Sequence, residues 1–181
     1  MTAPKLNMGM FTSAKDDWAT PSDLFATLNA RFSFDLDPCA SAANAKCARF
    51  FTREDDGLDQ PWNGRVFMNP PYGRVLGDWV KKAHDEVVAG RASIAVALIP
   101  ARTDTAYWHD YVMRASEVIL LRGRVHHDHA GHDGPAHNAP FPSAVVVFEV
   151  GRSGPPVFSA MFAKPALRTR APTGDNDGEG K

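Results

Sequence analysis

Cysteine is scarce in this chain: Cys39 and Cys47 are the only two in 181 residues. So few thiols point away from a disulfide-stapled secreted scaffold and towards a reducing compartment. Long apolar runs are missing as well, and none approaches the ~20 residues that cross a bilayer. The N-terminal stretch "MTAPKLNMGMFTSAKDD" has no continuous apolar core of the kind a secretory signal needs. Neither sign of charge dominates: the formal net charge is -1. Composition therefore announces no nucleic-acid partner, although a local basic face is enough for one. No internal repeat is present. These absences predict a cytoplasmic single-domain protein with no membrane partner, and they assign no oligomeric state. With 44% apolar and 23% charged residues, the chain has the ordinary means to build one sizeable core.

The pattern of elements predicts an α/β protein with a central, mostly parallel sheet. Residues 1–16 read as a flexible arm and 17–163 as the folded domain. Residues 164–181, ending in "TRAPTGDNDGEGK", are too polar to bury anything and read as a disordered tail. "WATPSDLFATLNARF" predicts a helix capped by Thr20 with Pro21 at its first position. "FSFDLD" alternates like a strand, "CASAANAKC" leaves room for one short helix, and "ARFFT" reads as a second short strand. "RVFMN" is a third. "RVLGDWVKKAHDEVVAG" carries an apolar stripe at helical spacing and ends at Gly90. "SIAVALIP" and "SAVVVFEV" are continuous apolar runs, as strands buried on both faces are. "TDTAYWHDYVMRA" predicts a helix capped by Thr103 or Asp104, "SEVILLRG" a strand, "RVHHDHAGHDGPAHNAPFP" a long polar loop, and "PVFSAMF" one further short element.

In parallel sheets of this kind, ligands bind outside the carboxyl ends of the strands. One of those ends reads "GRVFMNPPYGR". Two adjacent prolines end the strand and force a turn. Asn69 offers an amide oxygen, and the Pro70 carbonyl can point outward. Together they can accept both hydrogens of one exocyclic amino group and leave its nitrogen a better nucleophile. Tyr72 supplies a flat face for the ring that bears that group, and Pro70 and Pro71 hold the geometry.

The turn and its companions resemble, in order, the phage-type DNA N6-adenine methyltransferases, the phage Dam-like group. "NPPY" is similar to that group's motif IV. "DDWATPSDLF" resembles its N-terminal motif, "FDLDPCA" a variant of its first cofactor-binding strand and loop, and "TREDDGL…W" its acidic segment; "NAKC…FFT" and "LIPARTDT…W" extend the likeness. The resemblance implies a Rossmann-like class I fold and S-adenosylmethionine as cofactor. It implies DNA as partner and methyl transfer to N6 of a flipped-out adenine. By the same likeness Thr20, Pro21, Asp37 and Pro38 border the methionine end of the cofactor. Glu54, Asp55 or Asp56 meets its ribose or adenine. Asn69, Pro70, Pro71 and Tyr72 hold the target base, and Phe141 packs on that base's other face. A phage or prophage origin, acting in a bacterial host cell, is implied too. The chain departs from the wider family in two ways. "DPCASAANAK" has no glycine where a glycine-rich loop is usual, and the first strand lies close to the NPPY strand, as if a helix or a strand were lost between them.

Competing readings exist for several residues. The same turn serves enzymes that methylate RNA or protein glutamine, and a catalytically inactive nucleic-acid-binding module could keep it. Pro38-Cys39 superficially matches the nucleophile of cytosine C5 methyltransferases, but Cys39 and Cys47 read better as small packed residues. Arg74, Arg102, Arg122 and Arg124, with Arg65, lie at or near strand ends and would make a phosphate-contacting face if they share one edge. His126, His127, His129, His132 and His137 could hold a metal or face DNA; the resemblance implies no metal. Trp62, Trp79 and Trp108 read as core.

Overall fold

The computed structural model describes residues 18–129 and 137–164. The arm assigned to residues 1–16 and nearly all of the tail assigned to 164–181 lie outside them. A seven-stranded sheet forms the middle of the molecule. Its strands are β2 (Leu36–Asp37), β3 (Arg49–Phe50), β4 (Gly64–Met68), β5 (Ala92–Pro100), β6 (Glu117–Arg122), β9 (Ser143–Glu149) and β10 (Val157–Phe162). They lie in the order β10-β6-β9-β5-β4-β2-β3. Only β9 runs against its neighbours β5 and β6; the other pairings are parallel. This is the α/β, Rossmann-like arrangement.

The helices divide between the two faces. On one, α1 (Ser22–Phe32) seats Leu24, Leu28 and Phe32 against Phe67, Ile94, Val96, Leu98 and Ile119. On the other, α2 (Leu76–Val88) and the short α3 (Ala106–Asp110) cover Val66, Met68, Ala95, Ala97 and Ile99. Consecutive residues of β4 thus belong to different cores, as the two-residue strand period requires. Trp62, Trp79 and Trp108 are all core. Glu86 is buried yet paired, to Lys82 and Arg91, with the Trp62 amide donating to it as well.

Five local expectations are corrected. The helix starts at Ser22, not Pro21: Pro21 has an extended ψ of 136° and sits at the cap position, its carbonyl accepting the Phe25 amide. "FSFDLD" is a strand only at Leu36–Asp37. Phe32 ends α1, and Ser33 turns the chain in a left-handed conformation (φ 52°). Asn29 holds that exit, its backbone oxygen accepting from Ser33 and its side-chain oxygen from Phe34, both at 2.8 Å. "CASAANAKC" is a chain of turns rather than a helix. The α3 cap position is Thr105, and the helix breaks at Tyr111 before a 3-10 turn at Val112–Arg114. The long polar loop is not all loop: β7 (His126–His129) pairs with β8 (His137–Asn138) and with β1 (Trp18–Ala19) in a small second sheet.

Candidate active site

Four parallel strands, β2 to β5, present their carboxyl ends side by side. Asp37-Pro38, Phe51-Thr52, Asn69-Pro70 and Pro100-Ala101 therefore lie along one edge of the sheet. The start of antiparallel β9 joins them there, because the Ala101 amide donates to the Pro142 carbonyl at 2.9 Å. That bond draws Phe141 in beside the NPPY turn.

The turn is anchored from below. Tyr72 is buried, and its hydroxyl donates to Asn69 Oδ1 at 2.6 Å, with the Leu98 carbonyl at 3.4 Å. Burial, and then the neighbouring Cys39, raise the Tyr72 hydroxyl well above the usual phenol range, so it stays a donor. The Tyr72 and Phe141 rings meet edge to face with centroids 5.4 Å apart, and the Arg102 guanidinium lies 5.8 Å from the Phe141 ring centre. Cys39 reaches the same place, meeting the Asn69 backbone amide. Burial, and then the charge of Asp37, push its thiol well above the ordinary range. A thiol so held carries almost no thiolate at neutral pH, which disfavours a nucleophilic role. Burial followed by Asp37 and Asp35 likewise pushes Cys47 up to about 12.

Asp37 organises the segment that takes the place of a glycine-rich loop. Its carboxylate accepts the Lys46 amide at 3.1 Å and, more loosely, the Cys39 amide at 3.4 Å. Asn44 closes the turn between them, its Oδ1 accepting from the Ser41 amide at 2.7 Å. Side-chain acceptors hold this loop where glycines would otherwise give it freedom. Burial raises the Asp37 carboxyl from 3.8 to about 6, against the two amide hydrogen bonds that lower it. Burial of that kind favours either a proton or a cation on the carboxylate.

The acidic segment forms the next wall. Asp55 binds back to Thr52, accepting its amide and its hydroxyl at 2.8 Å each, and these bonds lower its carboxyl. Asp56 has a positive φ of 50° and accepts the Leu58 amide at 3.3 Å; Glu54 is exposed. Sequence reasoning missed Gly57. A Cβ there would stand 2.0 Å from the Pro38 carbonyl oxygen, so only glycine lets the acidic loop close on the Asp37-Pro38 strand end. Trp62 Nε1 donates to the Gly57 carbonyl at 2.8 Å and holds the contact. The dipeptide Asp56-Gly57 carries the signal, but it reads equally as an ordinary turn.

Thr20 and Pro21 are buried between β1 and α1. Arg74, Arg102, Arg122 and Arg124 are exposed and follow the carboxyl ends of β4, β5 and β6, so the topology gathers them on one edge. Arg65 does not join them: it begins β4 at the opposite edge, where its Nε donates to the Phe32 carbonyl. Residues 130–136 of the histidine-rich loop lie outside the described residues. Among the described residues no cluster of metal-ligating side chains forms, and no helix is long and apolar enough to cross a membrane. An open groove of about 450 Å³ lies beside β3, lined by Leu36, Phe50, Phe51, Pro61 and Asn63 among others.

Comparison with known proteins agrees with this geometry. Residues 9–170 match the family described as DNA N-6-adenine-methyltransferase (Dam). The chain is 32% identical over 124 residues to the DNA N-6-adenine-methyltransferase of Escherichia phage T1, covering 67% of this chain and 51% of that protein. It is 33% identical over 113 residues to the protein of the same name from Haemophilus phage HP1 (strain HP1c1), covering 60% of this chain and 64% of that one. The chain thus spans between half and two thirds of the length of these two relatives.

Proposed function

Since the chain belongs to the DNA N-6-adenine-methyltransferase (Dam) family, we propose that it transfers a methyl group from S-adenosylmethionine to N6 of adenine in DNA. The observation that carries this reading is the Tyr72–Asn69 hydrogen bond. It holds an amide acceptor beside the Pro70 carbonyl at the mouth of the sheet.

S-adenosylmethionine supplies an electrophilic methyl group on a sulfonium centre. The chain fits that cofactor: the buried carboxylate of Asp37 favours a cation, and an amino-acid ammonium is one. Pro38, Thr20 and Pro21 border the same end. Glu54, Asp55 Oδ1 and Asp56 Oδ2 are the acceptors offered to ribose and adenine donors.

Asn69 Oδ1 and the Pro70 carbonyl accept the two hydrogens of the adenine amino group and draw its lone pair out of conjugation. Tyr72, Pro71 and Phe141 confine the extruded base. Held there, N6 would face the methyl group that the bound cofactor would supply, and its departing proton would pass to water. Positioning does most of the work, and no covalent enzyme intermediate is needed. Arg74, Arg102, Arg122 and Arg124 hold the DNA backbone along the same edge. The place of action is the bacterial cytoplasm, where that DNA lies.

Incubation with DNA and methyl-labelled S-adenosylmethionine, followed by nucleoside analysis, tests the reading. N6-methyladenosine in the digest is the expected product. Cofactor binding without a modified base would move the substrate to RNA or protein glutamine. No cofactor binding would leave a nucleic-acid-binding module.

A further inference from the structure

The two edges of the main sheet are treated differently. β3, at one end, is two residues long, and its Arg49 is engaged with Asp35 and the Asn63 carbonyl. β10, at the other end, is six residues long, VFSAMF, with no charge and no proline. Natural edge strands are usually blunted by one or the other, because an open row of amides templates further pairing.

The direction of that open row follows from two hydrogen bonds. The Val157 amide donates to Ser116 and the Ala163 amide to Arg122, so the odd-numbered residues bond inward to β6. Strand alternation then turns the N–H and C=O groups of Phe158, Ala160 and Phe162 outward. Their side chains share the face of Val118, Leu120 and Arg122, with which they are in register. Among the described residues that face is open beyond the cover of α3, and apolar apart from Arg122, whose guanidinium lies 5.2 Å from the Phe162 ring centre: Phe158 is 54% exposed, Phe162 56% and Leu120 44%.

Phe158 and Phe162 lie two residues either side of Ala160, on the same face of β10. We propose that β10 pairs antiparallel with β10 of a second copy of this chain, about a two-fold axis at Ala160. In that register Phe158 stands opposite Phe162 of the second copy on both sides of the axis. Every outward amide meets a carbonyl, and aromatic pairs flank an alanine pair, the kind of cross-strand contact that stabilises sheets. The contact is isologous, so it closes at two copies. Four half-exposed phenylalanines contribute roughly 400 Å² of apolar area. Even with the strand backbones and Leu120, the interface stays below the ~1,200 Å² of standard specific ones, in the range of weak, transient contacts. The dimer is therefore a reversible one. Antiparallel pairing points the two carboxyl edges in opposite directions, so neither copy completes the other's site.

Sedimentation equilibrium of the full chain up to about 100 µM tests this. The wild type should show a concentration-dependent monomer–dimer equilibrium. Ala160→Pro should remain monomeric with an unchanged melting temperature, because the amide it removes faces away from β6. Phe158→Lys should weaken the dimer at least tenfold. A monomeric wild type over the whole range overturns the proposal. So does a dimer that survives both substitutions. If the wild type is monomeric but dimerises once residues 165–181 are removed, the chain's own C-terminal segment, not a second copy, covers the edge.

Discussion

The hydroxyl of Tyr72 donates to Asn69 Oδ1 at 2.6 Å, so the residue that ends the NPPY turn orients the residue that begins it. The bond is part-buried: Tyr72 is buried and Asn69 half-buried, with the Leu98 carbonyl as a second acceptor at 3.4 Å. A hydrogen bond made there is stronger than one in water, and its loss leaves polar groups unpaired.

Asn69→Ala should therefore abolish methyl transfer while leaving S-adenosylmethionine affinity within a few-fold, because Asn69 is aimed at the substrate. Tyr72→Phe keeps the ring but removes the hydroxyl that donates to the Asn69 amide oxygen. Its kcat should fall about tenfold, equivalent to ~1.4 kcal/mol of transition-state stabilisation, with cofactor affinity unchanged. Single-turnover kinetics beside calorimetric cofactor titration separates the two effects. Full activity in Asn69→Ala would refute the assigned role.

Gly57→Ala should be costly for a residue outside every proposed contact with substrate. The added methyl would lie 2.0 Å from the Pro38 oxygen, and that neighbour is backbone and cannot swing aside. The acidic loop must withdraw, carrying Asp55 and Asp56 with it. We expect about 1–3 kcal/mol of destabilisation, as for overpacking a well-filled site, and weakened cofactor binding. Urea denaturation measures the first and calorimetry the second. A variant with wild-type stability would show that the loop does not close on Pro38.

Much of this was legible in the sequence, and the illegible parts have physical reasons. Continuous apolar runs revealed β5 and β9, and the stripe from Leu76 to Val87 with Gly90 behind it revealed α2, because burial leaves a periodic record. Phe32 and Phe34 alternated as in a strand. Both do pack on the α1 face, Phe34 5.3 Å from Phe67, but the left-handed turn at Ser33 separates them, and alternation does not report where a helix stops. β7 and β8 left no record because a polar hairpin has no apolar side to show. At the site, the NPPY residues announced themselves by chemistry. The tie between Asp37 and the Lys46 amide did not, because one side chain replaced a glycine pattern. Gly57 was visible but read as punctuation; its neighbour Pro38 is distant in sequence.

Asp37 should imprint a pH dependence. Its carboxyl is raised from 3.8 to about 6 by burial. Below pH 3.8 it is protonated in both folded and unfolded chains, and its contribution is fully favourable. As pH rises through the window the unfolded chain ionises first, so stability falls, and above about 6 the loss is complete. At ~1.4 kcal/mol per pH unit, the window amounts to about 3 kcal/mol. The stability difference between wild type and Asp37→Asn, followed by urea midpoints from pH 4 to 7, should shift by about that much in favour of the variant. Cofactor affinity should run the other way, rising from pH 5 to 7 as the carboxylate becomes available to an ammonium. A flat difference would mean that Asp37 ionises as an exposed carboxyl does.

The last expectation separates an edge from a composition. Arg102 follows the carboxyl end of β5, with its guanidinium 5.8 Å from the Phe141 ring. Arg152 is equally exposed but lies between the end of β9 and the start of β10. Because β9 runs antiparallel to β5, that connection sits at the opposite edge of the sheet. Replacing either arginine by alanine removes one positive charge from a nearly neutral protein, so a general electrostatic attraction would respond equally to both. A phosphate-contacting edge would not. Arg102→Ala should weaken DNA binding and lower the slope of log affinity against log salt by about 1, one released counterion. Arg152→Ala should leave both affinity and slope as they are. Fluorescence anisotropy with a labelled duplex across a salt series reads both quantities at once. Equal losses in the two variants would mean that DNA is not held along the edge where Asn69 and Tyr72 lie.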